Sequence, residues 1–285
     1  MQTFDPALTP LRDIDALLKS AVAPRPIAFA STVDGAGRVN LSPFSYFNLF
    51  GINPPTLVFS PNNRVRDNTP KHTLENLREV PEVVVNLLDY RLVQQASLAS
   101  TEYPKGVNEF GKAGLTEAPS KRVRPPRVAE CPVAMEALVR DIVTVGSGGG
   151  SANLVICEVV LIHVSERLLD EHGHIDARKT DWVARLGGDW YCRASGAALF
   201  EVPRPNQKPG IGFDGLPEEI RNSTVLTGNE LAQLANVEAL PDEAERREFA
   251  EKMGNLPLGS EARHWRAREY LAAGRLAEAW LVLLA

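Results

Sequence analysis

The sequence of 285 residues predicts a mainly β protein, an antiparallel barrel that is closed or partly closed, with flanking helices and a helical extension at its C-terminal end. Three observations predict it. Short apolar runs rich in β-branched and aromatic residues, punctuated by turn signals, recur from Pro26 to Val164. The helical segments among them do not alternate regularly with the strands, as a doubly wound sheet would require. Beyond the proline-rich stretch EVPRPNQKPG the composition turns to helix formers. A barrel also removes exposed sheet edges.

Taken in order, TPLRDIDALLKS predicts a first helix, with Thr9 as its cap, Pro10 in its first turn, and Leu11, Ile14, Leu17 and Leu18 at helical spacing. The runs PIAFAST, VNLSPFSYFNLF and TLVFSP predict strands, broken by turns at Asp34-Gly35 and Asn53-Pro54-Pro55. A short helix follows over Lys71 to Leu77, then a strand in EVVVNLLD and two long β-branched runs at Ala137 to Val145 and Leu154 to Val164. The division falls near Arg204, giving a barrel over residues 1–205 and an extension over 206–285. In the extension Thr227 and Glu230 form a capping-box pattern. Pro241 starts DEAERREFAEKM, with Gly254 after it, and Ser260 opens EARHWRAREYLAAG. Trp265, Tyr270, Leu271, Trp280, Leu281, Leu283 and Leu284 are too many apolar groups to leave exposed, so these helices are expected to dock on the barrel or on a partner chain.

A net charge of -5, with cations scattered among acids, offers no field for a polyanion, and nucleic acid is not expected as a partner. No apolar run reaches the roughly 20 residues that span a bilayer, and no membrane association and a cytoplasmic location are expected. Cys131, Cys157 and Cys192 lack metal or dithiol spacing and read as inert buried thiols. The glycine-rich stretch Gly146 to Gly150 lies between two strands, without the strand-to-helix setting of a dinucleotide fingerprint, and reads as a flexible connection. No GK[ST] follows a glycine turn, which excludes a triphosphate loop. Asp170, His172, His174 and Asp176 belong to a surface turn, so no metal is assigned. His163, in an apolar strand, reads as a satisfied core or interface histidine.

Two segments carry chemistry. Asn62 to Thr73 combines cations, hydroxyls and amides just ahead of a helix, where an anion would meet backbone N–H groups, the positive helix end, a hydroxyl and an ammonium together. Equally, Thr73 caps the helix and Lys71 is solvated. In Asn40 to Phe47 hydroxyls and an amide interrupt an aromatic strand, as the wall of a planar heteroaromatic ligand would require, although composition alone favours an edge strand facing water.

Read together, RPIAFASTVDG from Arg25, NLSPFSYF from Asn40, Pro54-Pro55, Val58 to Ser60, KHTLENL from Lys71, Val85-Asn86 and Asn108 to Phe110 resemble the flavin reductase-like family. Weaker echoes stand at Arg185 to Gly188 with Tyr191 and at Arg204-Pro205. The resemblance implies an FMN-binding split β-barrel of Greek-key type, a homodimer, and FMN held without a covalent bond. It implies that Thr32, Asn40, Ser42, Phe44, Ser45 and Tyr46 line the ring and ribityl chain, and that Lys71 and Thr73 contact the phosphate. Asn76 matches the same motif, and Ser60, Asn62 and Arg66 are further candidates around the phosphate. His72 stands where the family has an acid. Ala152 and Asn153 replace a histidine, and Cys157 a glycine, carried by many family reductases. The implied activity is hydride transfer from NAD(P)H to flavin N5, then electrons to free flavin, a partner oxygenase or another small-molecule acceptor. The alternative is an FMN carrier or sensor without rapid nicotinamide turnover.

Overall fold

In a computed structural model of the chain, residues 1–202, 209–253 and 259–285 are described. The expected boundary at 205/206, the echo at Arg204-Pro205 and the helix stop at Gly254 lie outside these residues. The chain forms two compact units, Met1–Phe200 and Glu201–Ala285.

The first unit opens with α1 (Leu11–Ala21), whose first helical carbonyl acceptor is that of Pro10, so Pro10 and not Thr9 stands at the cap position and no side chain caps it. Proline suits that place because it has no N–H to leave unpaired. Four strands follow, β1 (Ala28–Val33), β2 (Val39–Phe44), β3 (Phe47–Ile52) and β4 (Pro55–Phe59). Then come α2 (His72–Glu79), β5 (Glu82–Leu87), α3 (Val93–Leu98), α4 (Glu109–Ala113) and a two-residue ribbon, β6 (Glu117–Ala118) with β7 (Arg127–Val128). Two thirteen-residue strands, β8 (Val133–Val145) and β9 (Ala152–Val164), form a long hairpin, and β10 (Trp182–Arg185) pairs with β11 (Tyr191–Ala194).

The main sheet is wholly antiparallel, in the order β2-β1-β5-β8-β9-β4-β3. Its two outermost strands, β2 and β3, are joined by Ser45 and Tyr46 alone. Laid flat, seven strands would hold their edges about 29 Å apart, whereas two linking residues reach only about 10 Å. The sheet therefore curls until its edges meet at that joint. No ladder pairs β2 with β3, so the seam stays open and the barrel is split.

Curling explains why every residue of β1 is buried. Ala28 and Ala30 face an inner cluster with Phe44, Phe59, Val85 and Val155, while Phe29 faces an outer one with Leu41, Leu92, Ala96 and Phe110. Helix α2 packs on β1 and β2 and adds Leu77 to the inner cluster. Cys157 belongs to the same cluster, where burial pushes its thiol up to about 12; it is an inert core residue.

The second unit carries α5 (Glu218–Arg221), α6 (Gly228–Ala235), α7 (Glu243–Met253), α8 (Ser260–Ala272) and α9 (Leu276–Leu283). The capping box at Thr227 and Glu230 is present in both directions. Asp242 rather than Pro241 caps α7, its carboxylate accepting from the N–H groups of Ala244 and Glu245. Gly259 rather than Ser260 occupies the cap position of α8. Sequence periodicity missed α9 because apolar residues fill all of it but Glu278; Trp280 is buried and donates its indole N–H to Leu234 O at 3.1 Å. Tyr270, Leu271, Trp280 and Leu283 belong to one cluster with Leu216, Ile220 and Leu234, so the apolar surplus of this unit builds its own core. Trp265 remains about half exposed.

Glu136 on β8 is fully buried and accepts from the N–H groups of Lys121 at 2.8 Å and Arg122 at 2.5 Å, with His163 Nε2 at 2.6 Å. Burial opposes its ionisation, but these donors outweigh it and hold the carboxyl below its ordinary value. Glu136→Ala would strand two backbone donors, and we expect a loss of about 2–4 kcal/mol in equilibrium urea unfolding.

Candidate functional site

Where α2 crosses β1 and β2, five polar side chains are buried together: Thr32, Asn40, Thr73, Asn76 and Glu109. Thr73 Oγ1 donates to Asn40 Oδ1 at 2.7 Å, and Asn40 Nδ2 donates to Glu109 Oε1 at 3.0 Å. The other oxygen of Glu109 accepts from Leu41 N–H at 2.9 Å, and Asn76 Nδ2 donates to Thr32 Oγ1 at 3.1 Å. Burial pushes the Glu109 carboxyl up, against the pull of Leu41 N–H and Asn40. This seam stitches α2 and α4 to the two strands. Lys71 holds the cap position of α2 without a side-chain cap bond, so the hydroxyl of Thr73 serves Asn40 and not the helix end.

On the solvent side of the seam lies a cleft lined by Asn40, Ser42, Arg64, Lys71, Thr73 and Thr101, among others. Arg64 is fixed from behind, its Nη1 donating to Thr69 Oγ1 at 3.1 Å and to the carbonyl of Pro70. Lys71 is half-buried, and burial followed by the charge of Arg64 lowers its pKa. The N–H groups of His72 and Thr73, in the first turn of α2, take no acceptor among the described residues. Cations, orphan N–H groups and hydroxyls thus face one small volume, a donor set suited to a phosphate. A larger cavity of about 390 Å³ lies between Tyr90, Gln94 and the β10–β11 pair and shares no lining residue with this cleft. There Arg193 pairs with Asp181 and stacks on Tyr90, and Arg185 donates to Gly188 O and stacks on Tyr191; the smaller cleft differs in adding the open N–H groups of a helix start to its cations.

The remaining expected residues are placed around the cleft rather than in it. Ser60 and Asn62 turn inward: Ser60 Oγ donates to Asn62 Oδ1 at 2.6 Å and accepts from Asn153 N–H, and Asn62 Nδ2 donates to Gly150 O. Arg66 reaches the cleft only through Glu102, at 2.6 Å. Phe44 belongs to the core, its ring tilted on Phe59. Ser45 and Tyr46 form the joint at the barrel seam; Tyr46 is exposed, with its hydroxyl 3.5 Å from Asp15.

The glycine-rich connection acts as a clasp. Asn63 N–H donates to Ser151 O and Gly150 N–H to Asn63 O, while Asn68 Nδ2 donates to Ser147 O. Gly149 touches Val65 so closely that a Cβ would fall 2.4 Å from its carbonyl oxygen. The tip of the β8–β9 hairpin therefore fixes the loop that carries Arg64 and Arg66.

Residues 20–180 match the family described as flavin reductase like domain. The chain belongs to that family. Its flavin reductase-like barrel has the split-barrel fold, and two solved structures are similar to it along nearly their whole length. Nitrilotriacetate monooxygenase component B from Bacillus cereus is 29% identical, with a TM-score of 0.66, over 71% of this chain and 98% of the other. The 2-nitrobenzoate 2-nitroreductase NbaA from Pseudomonas fluorescens is 26% identical, with a TM-score of 0.62, over 73% and 100%. An uncharacterized protein of Aquifex aeolicus is 37% identical over 65% of this chain and 92% of its own length. About a third of the present chain thus lies outside that match.

Sequence reasoning on this flavin reductase-like barrel missed three contributors to the site. Arg64 lies inside the singled-out segment but had no role there. Glu109 stands in the Asn108 to Phe110 motif that carried the family resemblance, and its burial was the missing signal. Glu102 lies in a stretch with no motif, and only the fold brings it to the cations. Gly149→Ala should push the Val65 loop away, with a stability loss of about 1–3 kcal/mol in thermal unfolding and weaker binding of inorganic phosphate. Gly148→Ala, whose Cβ meets nothing within 4 Å, is the control expected to leave both unchanged.

Proposed function

We propose that this family member binds FMN non-covalently and works as an oxidoreductase, with NAD(P)H as reductant. The observation that carries the reading is the cleft in which Arg64, Lys71 and the first turn of α2 meet the hydroxyl of Thr73. Those groups hold the phosphate. Asn40 to Tyr46 would hold the ribityl chain and ring, since the hydroxyls of Ser42 and Ser45 take no partner among the described residues and are free to bond the polar edge of the ring. Thr32 and Asn76 act from behind, fixing α2 against β1. Bound there, FMN supplies a hydride acceptor at N5, and the chain supplies binding, orientation and a dry barrel wall.

The likeness to a monooxygenase component supports electron delivery to a partner oxygenase, and the likeness to a nitroreductase supports direct reduction of a small acceptor. A homodimer completes the reading. Helix α1 buries none of its residues and leaves Leu11 and Leu18 exposed, and edge strand β3 exposes Leu49, Phe50 and Ile52. A second copy covers these faces and shields the seam at Tyr46, and sedimentation is expected at twice the chain mass. The three unpaired cysteines are consistent with the cytoplasm.

A second reading, an FMN carrier or sensor, is favoured by Asn153. Its amide is spent on Pro61 O and Asn63 Oδ1, with Thr144 Oγ1 donating to its oxygen, so this position contributes no titratable group to the site. Anaerobic addition of NADH or NADPH separates the two: rapid bleaching of the flavin absorbance is expected of the reductase, and an unbleached yellow protein overturns it. Lys71→Met should weaken FMN by about 10- to 150-fold, the loss of one hydrogen bond to a charged group, and leave riboflavin within about twofold. Because the free Lys71 pKa lies below its ordinary 10.5, FMN affinity should fall as pH rises through that lowered value, while riboflavin affinity stays flat. Equal weakening of both flavins by Lys71→Met would remove the phosphate assignment.

A further inference from the structure

Glu102 lies just past α3, on a turn closed by bonds from Ser100 N–H to Ser97 O and from Thr101 N–H to Leu98 O. Its carboxylate lies among all three cations of the neighbouring loop. One oxygen is 3.2 Å from Arg64 Nε and 3.7 Å from Lys71 Nζ, and the other is 2.6 Å from Arg66 Nη2. Glu102 also lines the cleft beside Asn40, Ser42 and Thr73. Asp67 already pairs with Arg66 at 3.0 Å, so Glu102 is the second carboxylate among three cations; with Glu102 withdrawn two positive charges remain, the charge that a phosphate dianion balances.

We infer that Glu102 is a built-in counter-anion that holds the place of the ligand phosphate, so that FMN loads and leaves by exchange of one anion for another. This rests on the assignment of the FMN phosphate to Lys71. The geometry favours exchange over a permanent structural pair. The Glu102 side chain is 38% exposed and that of Arg66 67% exposed, and an ion pair so open to water contributes little, while Arg64, 13% exposed, is braced by Thr69 and Pro70 independently of Glu102. A phosphate brings more charge and three acceptor oxygens, and its partners Arg64, Thr73 and the first turn of α2 are already held in place. The contacts that Glu102 gives up, or its repulsion if it stays near, subtract from the affinity for FMN. Riboflavin, lacking the phosphate, requires no exchange. Glu102 thereby sets FMN apart as an exchangeable ligand, which suits a protein that passes reduced flavin onward.

The full-length protein and its Glu102→Gln variant, with Lys71→Met as reference, test this by equilibrium binding of FMN and riboflavin and by stopped-flow release of FMN. Glu102→Gln should bind FMN about five- to thirtyfold more tightly, mostly through slower release, and riboflavin within twofold of the parent protein. If Lys71→Met weakens FMN while Glu102→Gln leaves it unchanged or weaker, the phosphate site stands and Glu102 is a scaffold that holds the arginines, which overturns the exchange. If Lys71→Met does not distinguish FMN from riboflavin, the phosphate assignment fails and the exchange fails with it.

Discussion

Everything in the barrel depends on one covalent constraint: the first and last strands of a seven-stranded sheet are neighbours in sequence, two residues apart. Hydrogen bonding alone would allow an open, twisted sheet. The Ser45-Tyr46 joint forbids it, and the sheet has to wrap. Wrapping buries β1 on both faces and leaves the seam beside β2 as the place where polar side chains of a strand can meet a ligand without breaking a ladder. Bulges between Glu136 and Ala137 and between Val139 and Asp141 give the long strands the bend that the closure demands.

Against this wall the chain sets two kinds of polarity. The seam of Thr73, Asn40 and Glu109 is buried and mutually hydrogen-bonded, as it must be where an unpaired group would be costly. It makes α2 a rigid continuation of the sheet. The cations at Arg64, Arg66 and Lys71 are wetter and answer to one carboxylate from another loop. Rigidity and adjustable charge thus stand side by side, the first inside the barrel wall and the second at its mouth.

Much of this was legible in the sequence. Apolar runs and turn pairs located the strands of the main sheet, because period and punctuation are local properties, but the break at Ser45-Tyr46 escaped inside VNLSPFSYFNLF, the first long strand begins at Val133 rather than Ala137, and the short pairs β6–β7 and β10–β11 were not read. The segment ahead of α2 stood out by composition, and Lys71 and Thr73 do meet there with Asn40 and Ser42. What could not be read was the direction of hydrogen bonds. Thr73 faces Asn40 rather than its own helix end, and Ser60 and Asn62 face inward, because partners from distant strands outcompete local ones. Glu102 was invisible for the same reason: its meaning lies in which loop it folds against. Helix α9 escaped because a helix with a single charged residue lacks the polar stripe by which a surface helix is recognised.

The clasp between Gly149 and Val65 is a contact of backbone with backbone, and so are the bonds that join Asn63 to Gly150 and Ser151. None of it depends on the identity of the arginine side chains that the loop displays. The hairpin side of the loop is therefore placed by backbone groups, while Arg64 braces its other end through Thr69 and Pro70 and Arg66 bonds only acids. The charge at Arg66 can thus change without moving the backbone that displays it, whereas a side chain at Gly149 displaces every group the loop presents at once.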